Sequence, residues 1–422
     1  MSAHQETYDV VVAGGGAGGV GAAIGAAQAG ARVVLIEKYG FLGGAATNAQ
    51  VLAYCGFFQH GNAPIKAVAG AGDQVLGEMR KLNIDCEPYH SPTTGNWIIL
   101  LDPERLKIAL DQILAAHKID VMLHTRVAAA ERTGRAIEHL TVAGMDGQFS
   151  IQGGGFVDAT GDANLALVSD VPMRLGDGEA RLQAFSMPIR VGGVAPETTI
   201  DRAKMCASIE LFNRRSPFRI NRTDGGIYTR VPSSGDLWWL VIDREMPDLS
   251  WKSFTHAEQS ARQMALYLVD ALRESVPGFE NAWLAQTGPQ IGVRETRHPA
   301  ARFEIPRTDV VGGVWRDDGV ARGAWPIELH SEAGKPTYEH IGGRGFYHVP
   351  LAALQSETLD NLFYAGRVIG ADPHAYGSTR VMGTALATGE AAGVAAALTA
   401  QKGIGPDADA VREVLIATGA LI

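Results

Sequence analysis

At 422 residues, with 46% hydrophobic and 20% charged side chains, the chain is long enough for two packed cores rather than one. Its formal net charge of -9 excludes the basic footprint of a nucleic-acid binder and the polybasic patch of a membrane-surface protein, and it disfavours a tRNA substrate. Three separated cysteines, Cys55, Cys86 and Cys206, form no CxxC pair, so no disulfide framework, metal site or dithiol relay is expected and a reducing cytoplasm suits them.

The N-terminal stretch has no basic segment followed by an apolar one, so no secretion leader is read there. Residues 8–13 form a β-rich apolar run, 14–19 a glycine turn, 20–29 a small-residue helix and 31–36 a second apolar run ending at Glu37, which together read as a βαβ unit. Within it Gly14, Gly16 and Gly19 make a GxGxxG fingerprint. Gly14 permits the tight turn, Gly16 lets the backbone reach a pyrophosphate, and Gly19 allows close helix–strand packing. The phosphates would sit on the helix N-terminus at Ala17 and Gly18, where free N–H groups and the positive dipole end face them. Glu37, followed by Lys38, is placed to accept from both ribose hydroxyls. The pattern implies a bound adenine dinucleotide.

Further on, 102–117 reads as a helix with Asp102 at its N-cap and Pro103 in its first turn, followed by strands at 119–123 and 150–159. Between about 172 and 350 the texture changes to the strand-like runs 185–191 and 237–243, a helical run at 256–272 and most of the tryptophans. From residue 359 the first texture returns. The expected organisation is a discontinuous nucleotide domain, 1–170 and 355–422 with smaller insertions around 50–100, and a substrate domain at 171–354. The apolar stretch 384–400 contains Glu390 and is too short for a membrane span, so it reads as a buried helix.

The segments FLGGAAT (41–47), VDATGD (157–162), QIGVRETR (290–297) and NLFYAGR (361–367), the last continuing through HAYGSTRVMGTALATGEAAGVAAAL, resemble the FAD-dependent oxidoreductase family. That family lies within the wider glutathione-reductase-like and fumarate-reductase-like flavoproteins. The resemblance implies an α/β fold: a Rossmann-like FAD-binding domain of glutathione-reductase type with a mixed sheet, and an inserted α+β substrate domain. It implies FAD as cofactor, held along its length. Gly43 and Gly44 would approach the pyrophosphate and flavin side, with Thr47 as a hydroxyl donor, and Val127 would present backbone groups to adenine. Ala159, Thr160 and Gly161 would turn beside the adenosine half, with Asp162 hydrogen-bonding nearby. Gly366 and Arg367 would reach the ribityl and pyrophosphate, and Gly383, Thr384 and Ala385 would open a helix whose N–H groups face the flavin pyrimidine.

Only one complete GxGxxG sits in a βαβ unit, so no dedicated NAD(P)H domain is expected. Electrons would enter from a small-molecule substrate and leave to oxygen, a quinone or a carrier protein; a homodimer stays open. Oxidation at a flavin needs a base for the accompanying proton. His374 with Tyr376, in ADPHAYGS, is one candidate, and His374 reads equally as a hydrogen bonder shaping the turn. Arg380 reads as a partner for a substrate anion or for the flavin C2 carbonyl. Residues 290–297 read as an alternating strand with Arg294, Thr296 and His298 on one face and Glu295 and Arg297 on the other. There Glu295 and Arg297 read as an internal salt bridge, and Arg294 with His298 as an anion site. His330 and His348 are further candidates, and the aromatic group Trp238, Trp239, Trp315, Trp325, Tyr338, Phe346 and Tyr347 reads as core with one or two members at the site. The expected reaction is hydride transfer from a small polar, carboxylate-bearing metabolite to flavin N5. The alternatives are a reductase, monooxygenase or isomerase using external NAD(P)H, and a non-catalytic binding protein on the same fold. The intact glycines and Glu37 argue against the last.

Overall fold

A computed structural model of the protein describes residues 5–92, 94–403 and 405–422. The first four residues, part of the stretch read as lacking a leader, lie outside the described residues. The strand Gln5–Ala13 lies inside a seven-stranded sheet. It runs parallel to Val33–Ile36 on one side and to Gly147–Asp158 on the other, and Asp120–Met122 extends the parallel part beyond Val33–Ile36. The twelve-residue strand Gly147–Asp158 is shared. Its first half pairs antiparallel with Ala136–Gly144, which continues to Arg126–Thr133, while its end pairs parallel with Leu362–Tyr364. The result is the expected α/β architecture with a mixed, Rossmann-type sheet.

The two ends of the chain meet through backbone. Helix Ala17–Gln28 crosses helix Met382–Lys402 so closely that a Cβ at Gly21 would fall 2.3 Å from the Leu386 carbonyl oxygen and one at Gly393 1.9 Å from that of Ala22. Larger residues at these positions would force the helices apart. Asp102 caps helix Pro103–Ala116 as its sequence predicts, its Oδ1 accepting from the Glu104 and Arg105 N–H groups at 3.0 and 3.1 Å.

A second core is built on a four-stranded antiparallel sheet in the order Ile227–Arg230, Leu237–Arg244, Phe185–Gly192, Trp283–Thr287. Residues of helices Arg202–Arg215 and Trp251–Ser275, among them Phe212, Met264 and Leu268, pack on it with Phe185 and Trp239. Residues from 305 onward, including Val320, Tyr347 and Val349, belong to the first core. The insertion around 50–100 contributes a small three-stranded sheet of Ala53–Tyr54, Trp97–Leu100 and Tyr89–His90. Among the described residues no helix is long and apolar enough to cross a membrane.

The strand expected at 290–297 is not there. Only Arg297–Pro299 is extended, pairing with Met173–Leu175. The reason lies in the backbone donors before it: the N–H groups of Gln290, Ile291 and Gly292 donate to the Asn48 carbonyl, the Glu258 carboxylate and the Ser186 carbonyl. Three unrelated acceptors leave no single ladder for a strand to join.

Candidate functional site

The fingerprint builds a groove from backbone. Gly14 adopts a φ of +99°, and a Cβ there would lie 2.5 Å from the Ala159 carbonyl oxygen; one at Gly19 would lie 1.7 Å from that of Gly14. Only glycine lets the turn fold this tightly over the strand end. The first N–H groups of helix Ala17–Gln28 have no acceptor within the helix and open on the groove, which Gly14, Gly16, Ala17 and Gly18 line. Glu37 stands at its edge, buried, with Oε2 accepting from the Gly15 N–H at 2.7 Å and Oε1 from that of Tyr39 at 3.0 Å. Burial raises this carboxyl's pKa, and the two N–H groups oppose the rise.

From Glu37 the groove runs two ways. One arm passes Lys38, Arg126 and Val127 towards Leu167 and Val168. The other passes Gly44, Thr160, Gly161 and Asp162 to Gly366, Arg367, Arg380, Met382 and Ala385. Arg367 donates to Asp162 Oδ1 at 3.0 Å and keeps a buried guanidinium nitrogen without a partner. A long cleft over free helix N–H groups, with a carboxylate at one turn and an unsatisfied guanidinium further along, suits a dinucleotide with two ribose-type chains and a pyrophosphate. The residues present therefore fit FAD.

The second arm opens into a cavity of about 210 Å³. Ala45, Val293, Arg367, Arg380 and Met382 line both, so groove and cavity are continuous. The far walls are mostly apolar: Leu52, Ile98 and Leu100 from the insertion face Ile227, Trp238 and Leu240 of the second sheet. The near end is polar and carries Arg294, Glu328, His330 and Arg380. His330 Nε2 lies 3.0 Å from Glu328 Oε1, while its Nδ1 is buried without a partner. Burial, reinforced by Arg294, pushes the imidazole pKa down to about 4, so the ring is neutral at pH 7. Burial alone would raise the Glu328 carboxyl, but hydrogen bonds and nearby cations, Arg380 among them, outweigh it and hold the group ionised. Arg294 is anchored to the Ala184 carbonyl and reaches Asp243 at 3.5 Å.

Several expectations are corrected. His374 is exposed and lines neither groove nor cavity, because Asp372 Oδ1 accepts from the His374 and Ala375 N–H groups and turns the loop outward. His298 is buried away from the cavity, 3.0 Å from Glu295 and edge-on to the Tyr376 ring. Glu295 and Arg297 form no salt bridge, since Arg297 donates instead to the Asp162 carbonyl and Asn164. Tyr376 is buried too, its hydroxyl donating to the Arg294 carbonyl at 2.5 Å. The Thr47 hydroxyl donates to the Leu42 carbonyl at 2.7 Å, so it closes its own loop, where Gly43 turns. At the start of helix Met382–Lys402 the Gly383 N–H donates to the Cys55 carbonyl and that of Ala385 to Val381, which leaves neither free for a ligand; Thr384 is buried beside them. His348 is tied to the Arg316 backbone. Of the aromatic group, Trp238 and Trp325 line the cavity.

Glu328, Asp243, Tyr39 and Gln290 went unread in the sequence. Glu328 carried a usable signal: in the strand Ile327–Leu329 it precedes His330 by two, so the two side chains share a face. Tyr39 and Gln290 bond across the groove from positions far apart in the chain, which no local pattern announces.

This fold and groove define a flavin-dependent oxidoreductase. The chain belongs to the FAD-dependent oxidoreductase family, whose model matches residues 9–415. A 97-residue stretch is 35% identical to an aerobic glycerol-3-phosphate dehydrogenase of Staphylococcus haemolyticus (strain JCSC1435), covering 23% of this chain and 16% of that protein. The structure is similar to p-nitrophenol 4-monooxygenase from Pseudomonas putida DLL-E4, with a TM-score of 0.50 and 12% identity over 98% of this chain and 85% of that one. A geranylgeranyl bacteriochlorophyll reductase-like protein from Thermoplasma acidophilum is similar with a TM-score of 0.46 and 13% identity over 98% and 83%. At such identities the structural likeness speaks to the fold alone.

Proposed function

We propose that the protein is a dehydrogenase or oxidase of a small amphipathic metabolite, with His330 as the base and FAD as the cofactor that would take the electrons. The observation that carries this reading is a neutral His330, paired with Glu328 through Nε2, in the lining of a cavity continuous with the cofactor groove. In this reading Gly14, Gly16, Ala17 and Gly18 meet the pyrophosphate, Glu37 the adenosine ribose, and Lys38 and Val127 the adenine side. Asp162, Gly366, Arg367 and Ala385 flank the flavin half. Held by these residues, FAD would supply a two-electron acceptor.

The chain's own groups do the rest. Apolar walls at Leu52, Leu100, Trp238 and Leu240 hold the substrate body and exclude water. The polar end orients the oxidisable carbon, and Arg294 and Arg380 offset negative charge that develops there. The His330 imidazole accepts the proton of a substrate hydroxyl or amine, and Glu328 stabilises the imidazolium that results. The mostly apolar lining moves the substrate from a small polar acid towards a molecule with an apolar body and one polar end. The short match to a dehydrogenase supports the reaction class.

Anaerobic mixing of the FAD-loaded protein with candidate alcohols and amines tests the reading. Bleaching of the flavin band by such a compound alone is expected. Bleaching only when NAD(P)H is added would replace it with a reductase or monooxygenase.

A further inference from the structure

The hairpin of Ile327–Leu329 and Thr337–Glu339 carries more than the base. In its register Glu328 stands directly opposite Tyr338, within side-chain reach across the strands. The Tyr338 hydroxyl donates to Glu328 Oε1 at 3.0 Å, the same oxygen that meets His330 Nε2. The Trp325 indole N–H donates to Oε2, also at 3.0 Å. Each carboxylate oxygen is thus pinned by a rigid aromatic donor. The backbone beneath is fixed as well: Arg380 donates to the Glu328 carbonyl at 2.9 Å, and a Cβ at Gly377 would fall 2.8 Å from that oxygen.

A carboxylate held this way dictates the imidazole's proton. With Nε2–H the ring donates to an anionic oxygen; with the proton on Nδ1, a nitrogen lone pair would face that oxygen and repel it. We propose that Tyr338, together with Trp325, is a positioning residue that acts through Glu328: by sharing the carboxylate's charge it keeps His330 a neutral ring with its proton on Nε2. This rests on reading His330 as the base. Tyr338 is 38% exposed, so loss of its hydroxyl leaves the cores filled.

Removing the Tyr338 donor concentrates the Oε1 charge on His330 and favours imidazolium. The other charged or titratable groups around the pair are Arg294 and Arg380, with Asp243 and Arg222 behind them and the Cys55 thiol near Glu328. None of these is altered by the substitution.

The test follows the ring nitrogen-15 shifts of His330 in the FAD-loaded enzyme through the acid range, assigned by the signal lost in His330→Gln. The wild type is expected to show a neutral ring protonated at Nε2. In Tyr338→Phe the neutral ring should stay protonated at Nε2 while the midpoint of protonation rises by roughly one pH unit. Trp325→Phe should move the midpoint in the same direction. A wild-type ring protonated at Nδ1, or a midpoint unchanged in both variants, overturns the positioning role. Substrate-driven flavin reduction that survives in His330→Gln overturns the base itself, a separate result that these shifts do not depend on.

Discussion

The cofactor groove and the substrate cavity touch along five residues yet are made of different material. The groove is built largely on backbone: glycine turns and the free N–H groups of one helix, with Glu37 at its edge. The cavity is side chain, with walls drawn from the insertion, the second sheet, the 327–339 hairpin and the start of helix Met382–Lys402. Backbone recognition demands the absence of side chains, so it leaves glycines in a fixed order. Recognition by side chains admits many residues at each wall position and leaves little pattern.

Substitutions should separate the two, and the largest effect is expected at the turn. Gly19→Ala places a Cβ on the Gly14 carbonyl, so the purified protein should carry no flavin absorbance; a yellow, FAD-loaded variant would refute the backbone account. In the cavity, His330→Gln should keep the flavin band while lowering the rate of anaerobic flavin reduction by roughly 10²–10⁴-fold. The wild-type rate should hold as pH falls and drop as the imidazole protonates near its pKa of about 4. Glu37→Gln should weaken FAD binding by about 2 kcal/mol, read by titrating the apoprotein, because a charged acceptor becomes a neutral one.

Stability sharpens the comparison at a third place. Glu390 is buried in helix Met382–Lys402, with Oε2 accepting from the Ala71 N–H at 2.9 Å and Oε1 unpartnered, and burial raises its pKa from 4.5 to about 7. The folded state therefore binds the proton more tightly than the unfolded chain. Stability should fall as pH rises from 4.5 through 7 and level off above. Glu390→Gln should abolish that slope and raise stability above neutral pH by about 2 kcal/mol, seen in denaturant unfolding. The smallest effect is expected at His374, where exchange for Ala should leave flavin reduction within about twofold, in line with surface substitutions generally.

The same contrast explains what the sequence could reveal. The fingerprint, Glu37, the Asp102 cap and the long small-residue helix were legible because each is local: a period, a cap or a glycine spacing fixes it. The 290–297 segment misled because its alternation was real but its N–H groups were claimed by Asn48, Glu258 and Ser186, none of them near in sequence. His374 misled because a motif neighbour of the flavin strand was taken for a cavity wall, while Asp372 turns it outward. The Glu328–His330 pair was half visible. His330 was singled out, but its partner needed the strand's two-residue period, and Tyr338 needed the hairpin register.

The glycine contact between helices Ala17–Gln28 and Met382–Lys402 has a consequence in time. A ribosome delivers the fingerprint long before the groove's opposite wall, Gly366 to Ala385. The fingerprint turn must wait for its partner helix, a contact of large sequence separation and hence slow to close. The groove is accordingly complete only once residue 385 has been made.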